Sequence, residues 1–259
     1  MSNIRIEKEG HILHIVMSRP EKFNAFTVAM YHEIAKAYGQ LNDDPELRVA
    51  LFYGEGEHFT AGLELTDWVK TLSAGALPAL PAGSIDPFGL SGRKLSKPVV
   101  MAVQGLCYTC GVEMMLNTDI RIAATNTRFA QLEVQRGLYA CGGATIRLQR
   151  ELGWANAQRY LLTGDEWSAQ DAYRMGMIQQ LSEPGQQLQD ALKIAERIAQ
   201  AAPLGVQGSL RSSQIARDEG EQAAIKRLFP DLAPVMASED MREGIQSFIE
   251  RRAAIFNGR

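Results

Sequence analysis

Two carboxylates of this chain stand beside glycine turns in apolar or uncharged surroundings: Glu113 in CGVEMML and Glu133 in FAQLEVQRG. Such surroundings favour the neutral form of a carboxyl group, which moves it toward general acid/base work near neutral pH. Three glycine-containing turns supply the other half of a candidate site: Phe59-Thr60-Ala61-Gly62-Leu63, Gly105 to Gly111, and Gly137 to Gly143. Glycine permits close backbone approach, and a helix starting at such a turn aims free N–H donors and a partial positive charge at a ligand. The plainer reading makes Glu113 a helix cap and Glu133 an ion-pair partner of Arg136. Two carboxylates alone would also suit a glycosidase. Their joint placement at turns able to offer oxyanion-type donors favours acid/base catalysis, and 7% aromatic content is thin for sugar stacking.

Other site patterns are missing. The chain has no G-x-S-x-G elbow, no P-loop and no H-E-x-x-H, so serine-hydrolase, P-loop and zincin readings lose their anchors. Gly54-Glu55-Gly56 follows a strand but lacks the third glycine and the helix of a dinucleotide fingerprint. Cys107-Tyr108-Thr109-Cys110 is a C-x-x-C, which at a helix start could be a redox dithiol or simply two small apolar side chains. A zinc site is not expected. There is no second cysteine pair, and His11, His14, His32 and His58 lie far off in sequence.

The elements that must position these residues read as α/β. A hairpin opens the chain, with Ile4 and Ile6 on one strand, a turn at Glu9-Gly10, and His11 to Met17 on the other. A helix begins near Thr27, repeats apolar positions at Tyr31, Ile34, Tyr38 and Leu41, and stops at Asn42-Asp43-Asp44-Pro45. Val49 to Tyr53 is a continuous apolar run, as in a strand covered on both faces. Val99 to Val103 and Asp119 to Ala124 are two further strands that run on into turns. Ser73 to Gly92, rich in Ala, Gly, Pro and Leu, is too long for a minimal connection and reads as either a flap or a tolerated insertion. Helices then dominate: Thr145 to Leu152, Ala155 to Thr163, Ser168 to Met175, Gln186 to Ala201, and three patterns after Pro203, the last from Asp240 to Phe256. Met177 to Leu181 is the one late strand. Met241, Ile245, Phe248, Ile249 and Ile255 form the stripe of the last helix, which must meet its own core or another subunit.

Bulk properties fit an ordinary globular protein. The 259 residues carry a net charge of -3, which gives no basic footprint for nucleic acid. No run approaches the length of a membrane span, and MSNIRIEKEG has no signal-peptide core. Three cysteines, Cys107, Cys110 and Cys141, are an odd and small count that fits a reducing cytoplasm.

Five segments carry a wider pattern: RPEKFNAF, FTAGLEL, VVMAVQGLCYTCGVEMMLNTDIRIA, FAQLEVQRGLYACGGATIRL and LLTGDEWSAQDAYRMGMI. In this order the chain resembles the crotonase (enoyl-CoA hydratase/isomerase) family along its whole length. The resemblance implies a crotonase-like spiral of ββα units over 1–201 and a C-terminal helical oligomerisation region over 202–259, which forms trimers or dimers of trimers. It implies an enoyl-CoA hydratase of fatty-acid metabolism, with isomerisation, other acyl-CoA chemistry or a catalytically silent CoA-binding protein as alternatives. Glu113 would activate water for attack on C3 and Glu133 would exchange the proton at C2. The backbone N–H groups of Leu63 and Cys110 would stabilise the enolate-like charge of the thioester. Lys22, Ala61, Phe248 and Arg251 would contact coenzyme A, which arrives as part of the substrate with no tightly held cofactor and no metal. Leu63, Trp68, Phe88, Leu138 and Tyr139 are expected to line the acyl pocket. Thr109-Cys110 stands where the family pattern has Gly-Gly, and Leu132 where it has proline. The Cβ and sulfur of Cys110 are expected to crowd the thioester or to resist a positive φ.

Overall fold

A computed structural model describes residues 3–259. Strands β1 (Ile4–Glu9) and β2 (Ile12–Met17) pair antiparallel across Gly10, whose φ of 54° suits a residue without a Cβ. Helix α1 (Val28–Asp43) is capped by Thr27, whose side chain accepts from the Met30 N–H at 3.2 Å. Its Met30, Tyr31, Ile34, Tyr38 and Leu41 face is buried. Then follow β3 (Val49–Gly54), α2 (Leu65–Ser73), β4 (Val99–Val103), β5 (Leu106–Tyr108) and α3 (Cys110–Met115). Strands β6 (Ile120–Ala124) and β7 (Arg128–Ala130) lead through a short helical turn, Glu133–Arg136, into α4 (Ala144–Leu152) and α5 (Trp154–Thr163). The chain finishes with β8 (Trp167–Ser168), α6 (Ala169–Arg174), β9 (Gln180–Ser182), α7 (Gln187–Gln200), α8 (Pro203–Glu219), α9 (Glu221–Met236) and α10 (Glu239–Glu250).

The strands form two sheets. The larger has the order β1-β2-β3-β4-β6-β9 and is parallel beyond its opening hairpin; the smaller has the order β5-β7-β8. Each central pass therefore contributes one strand to each sheet and then a helix: β4, β5 and α3, followed by β6, β7 and α4. This repeated advance produces a spiral of ββα turns and places the starts of α3 and α4 near one another. The inner strands β2, β3 and β4 are covered on both faces, which is why β3 and β4 read as unbroken apolar runs. One face packs Val49, Leu51, Val100, Ala102 and Ile122 against Ala191, Ala195 and Ala199 of α7. The other face joins the main core around α1 and α3.

Three expectations are corrected in detail. The late strand is Gln180–Ser182, not Met177 to Leu181, because the Met177 N–H bonds to the Ala172 carbonyl at 2.9 Å and closes the end of α6. Helix α10 stops at Glu250 because Arg251 adopts φ 56°. The tail then folds back, and the Asp240 carboxylate accepts from the Asn257 and Gly258 N–H groups at 2.7 and 2.8 Å. The segment 73–92 is neither wholly a flap nor a loose insertion. Its second half is tied down by Asp86, which is fully buried and accepts from the Phe88, Leu90 and Ser91 N–H groups and the Tyr31 hydroxyl.

Helix α8 pairs with α9 and reaches the body through Gln214, which donates to the Leu95 carbonyl, and through Asp218, which pairs with Lys94. Within the single chain, Ile225, Leu228, Phe229 and Leu232 of α9 and Ile245, Phe248 and Ile249 of α10 remain exposed. Among the described residues no helix is long and apolar enough to cross a membrane.

Candidate active site

Glu113 lies in the first turns of α3, where every residue from Cys110 to Met115 is buried. A helix with no polar face holds its carboxylate inside the protein. The plain expectation of a helix cap is met in an unexpected form, because Glu113 caps a different helix. Its Oε1 accepts from the Ala144 N–H at 3.3 Å, at the start of α4. Burial pushes the Glu113 carboxyl up to about 8, the negative charge of Glu133 adds to the rise, and the Ala144 and Gly142 N–H groups oppose it.

Glu133 opens the short turn after β7 and is 9% exposed. Burial raises its carboxyl to about 7. Among the described residues no ion pair joins it to Arg136, so the structural-pair reading falls. Its polar neighbour is the buried Gln131. With its nitrogen turned to Glu133, the Gln131 amide donates to both carboxylate oxygens at 2.9 Å. Turned the other way, the nitrogen reaches the Thr109 carbonyl at 3.3 Å and the amide oxygen faces Glu133, as a protonated carboxyl requires. Burial thus holds both carboxyls near neutral pH, and the charge of Glu133 raises Glu113 further.

The donor turns lie side by side, joined by the Thr60 N–H to the Leu106 carbonyl at 2.9 Å and the Tyr108 N–H to the Thr60 carbonyl at 3.1 Å. Around Leu63, Phe26 accepts from Glu64 and donates to the Gly62 carbonyl, so the Leu63 N–H is turned away from that bridge. Cys110 is the first residue of α3, a position whose N–H has no intrahelical acceptor. Among the described residues neither N–H has a hydrogen-bond acceptor, as an oxyanion site needs.

The expected effect of Cys110 is corrected. Its side chain is fully buried and packs into the main core, while the positive φ falls on Thr109, at 47°. The redox reading of Cys107 and Cys110 also fails. Both are free and fully buried, and burial pushes both thiols up, the opposite of an activated dithiol.

Of the other expected site residues, Ala61 is tied to the residue after Lys22, since the Ala61 N–H donates to the carbonyl of Phe23 at 3.0 Å. Leu63 and Leu138 are half-buried, and Tyr139 is 70% exposed. Trp68, expected to line the acyl pocket, is buried. Its indole N–H donates to the Phe26 carbonyl at 2.8 Å, and its ring is buried against Phe26, Tyr31 and Phe88. Phe88 is the member of this cluster that reaches the carboxylates' turn, because a Cβ on Gly142 would meet Phe88 Cδ1 at 3.1 Å and the Glu113 Oε2 at 2.4 Å. Phe248 and Arg251 are exposed on and after α10, and among the described residues no polar contact joins either side chain to the glutamates. Sequence reasoning missed Gln131, Gly142 and Asp86. Only Gly142 carried a signal, as a member of the third glycine turn.

The chain is similar to known proteins in sequence and fold along its whole length. The profile of the enoyl-CoA hydratase/isomerase family matches residues 7–259. An enoyl-CoA hydratase of Mycobacterium tuberculosis is 34% identical over 258 residues, 98% of this chain and 96% of that protein. A crotonyl-CoA hydratase of Syntrophomonas wolfei is 33% identical over 266 residues, covering 98% and 97%. A solved structure described as a probable enoyl-CoA hydratase/isomerase from Mycobacterium abscessus superimposes with a TM-score of 0.95 at 44% identity, covering 99% of both chains. The buried glutamate pair, the two free donor turns and the spiral that carries them are thus features of a chain that belongs to the enoyl-CoA hydratase/isomerase family.

Proposed function

We propose that this protein is an enoyl-CoA hydratase that reversibly adds water across the C2–C3 double bond of a 2-enoyl-CoA thioester. The observation that carries this reading is the buried pair, Glu113 and Glu133, whose carboxyls burial raises toward neutral pH. Hydration needs one group that takes a proton from water and another that gives one to carbon. In the form of the pair that has its proton on Glu133, ionised Glu113 accepts the proton of a water whose oxygen bonds to C3. The π electrons move toward the thioester oxygen, which the Leu63 and Cys110 N–H groups receive. Protonated Glu133 then delivers its proton to C2, leaving the pair with one proton again. One oriented donor of this kind is worth about 2.7 to 4 kcal/mol in a transition state.

Isomerisation needs essentially one proton-shuttling carboxylate, so keeping both favours hydration. Coenzyme A enters as part of the substrate, with Lys22 and the Ala61 backbone at its nucleotide end. Phe248 and Arg251 serve a neighbouring subunit's CoA site in a trimer or dimer of trimers, and the enzyme works in the cytoplasm. The test is a panel of enoyl-CoA thioesters of increasing chain length, read by loss of the enoyl thioester absorbance. Turnover of at least one, with 3-hydroxyacyl-CoA as product, supports the reading; isomerised product without hydration overturns it.

A further inference from the structure

Thr109 is held in a conformation that a β-branched residue avoids, φ 47° and ψ -112°. Its backbone leaves no room to relax. The Thr109 N–H donates to the Ala130 carbonyl at 2.8 Å, and its carbonyl accepts from the Glu113 N–H at 3.1 Å. The side chain carries a second cost, because its hydroxyl is buried and has no hydrogen-bond partner among the described residues. That hydroxyl lies between the two donor turns. It belongs to the residue before Cys110, and a Cβ on Gly62, the residue before Leu63, would meet it at 2.5 Å. The Gly62 N–H gives it no competition, being bonded to the Thr60 hydroxyl at 3.1 Å. The Cys110 thiol lies close enough for the hydroxyl to act on it as a donor, but sulfur is a weak acceptor that a thioester oxygen outcompetes.

From this placement we infer that the Thr109 hydroxyl is a third donor to the substrate's thioester oxygen, added to the Leu63 and Cys110 N–H groups. The inference rests on the oxyanion reading of those two groups. A strained backbone and an unpaired hydroxyl at one residue are costs that binding of the thioester offsets, since the substrate supplies the missing acceptor. Charge grows on that oxygen in the transition state, so the hydroxyl contributes more to kcat than to KM. Thr109 would then be a catalytic residue peculiar to chains with a hydroxyl at this position.

The test compares Thr109→Val and Thr109→Gly, which lose the hydroxyl, with Thr109→Ser, which keeps it. Glycine suits φ 47° and so keeps the fold if valine does not. Both hydroxyl-free variants should lose about 10- to 100-fold in kcat with KM changed less, on the scale of a weakened oxyanion donor. Serine should recover most of that loss. A second readout is the infrared carbonyl stretch of a bound, carbon-13-labelled, non-reacting saturated acyl-CoA. The wild type and the serine variant should shift it down further than the valine and glycine variants. If the wild type polarises the carbonyl and the hydroxyl-free variants match it in shift and kcat, the Thr109 inference falls alone. If the wild type leaves the carbonyl unpolarised, the oxyanion reading falls and the Thr109 inference with it.

Discussion

The carboxylate of Glu113 on α3 accepts a hydrogen bond from the backbone of Ala144, the first residue of α4, 31 positions later in the chain. This bond ties the start of one spiral turn to the start of the next and fixes the carboxylate where it feels the charge of Glu133. Glu113→Gln and Glu133→Gln should each lower kcat by roughly 100-fold or more while affinity for the CoA ester is largely kept. Because both residues act on one water and one proton, the double variant should lose less than the product of the single losses. Steady-state kinetics with a short enoyl-CoA decides it, and a wild-type rate in either variant removes that residue from the mechanism.

The same burial makes stability depend on pH. Both carboxyls are raised above their unfolded values, so the folded state binds more protons, and its stability falls as pH rises from about 4.5 toward about 8. Glu113→Gln removes the charge that must be buried at the upper end. It should raise the melting temperature at pH 8 and change it little at pH 5. An equal effect at both values would mean that the carboxyl is not raised.

Gly142 is a steric boundary of the site. An alanine Cβ there would sit 2.4 Å from Glu113 Oε2 and 3.1 Å from Phe88 Cδ1, so the Glu113 carboxylate must move and Phe88 must give slightly. Gly142→Ala should cut kcat by at least about tenfold and cost about 1 to 3 kcal/mol of stability, as overpacking does. Denaturant unfolding alongside kinetics separates the two effects.

Of the three cysteines only Cys141 is exposed, while Cys107 and Cys110 are fully buried. Ellman's reagent should titrate one thiol in the native protein and three after denaturation. Cys141 stands next to Gly142, and burial and the two glutamates raise its thiol. Its reaction should be slow at neutral pH, and a bound acyl-CoA should slow it further. Rapid titration of a second thiol would show that α3 opens.

The apolar residues Ile245, Phe248 and Ile249 of α10 are 50, 85 and 68% exposed in one chain, more than a soluble surface helix normally shows. In solution they should be covered in a trimer or dimer of trimers. Light scattering at micromolar concentration should give that mass, and truncation before Asp240 should cost assembly and solubility together. A monomeric mass for the intact protein would refute the assignment.

Local sequence determined much of this protein. Thr27 and Ser168 mark helix starts because their side chains satisfy free N–H groups within three residues. The unbroken apolar runs of β3 and β4 reveal a sheet covered on both faces, and the five family segments identify Glu113, Glu133, Leu63 and Cys110 as site candidates. Contacts between distant segments lay beyond that reading. Whether the left-handed backbone falls on Thr109 or Cys110 depends on the bonds Thr109 makes to Ala130 and Glu113, and the burial of Cys110 on the core around α3. The anchoring of Phe88 depends on Asp86, which reads as an ordinary loop acid until the fold buries it beneath Tyr31. The raised carboxyls likewise arise from tertiary structure, because desolvation and the field of a second carboxylate exist only once the spiral brings α3 and the Glu133 turn together.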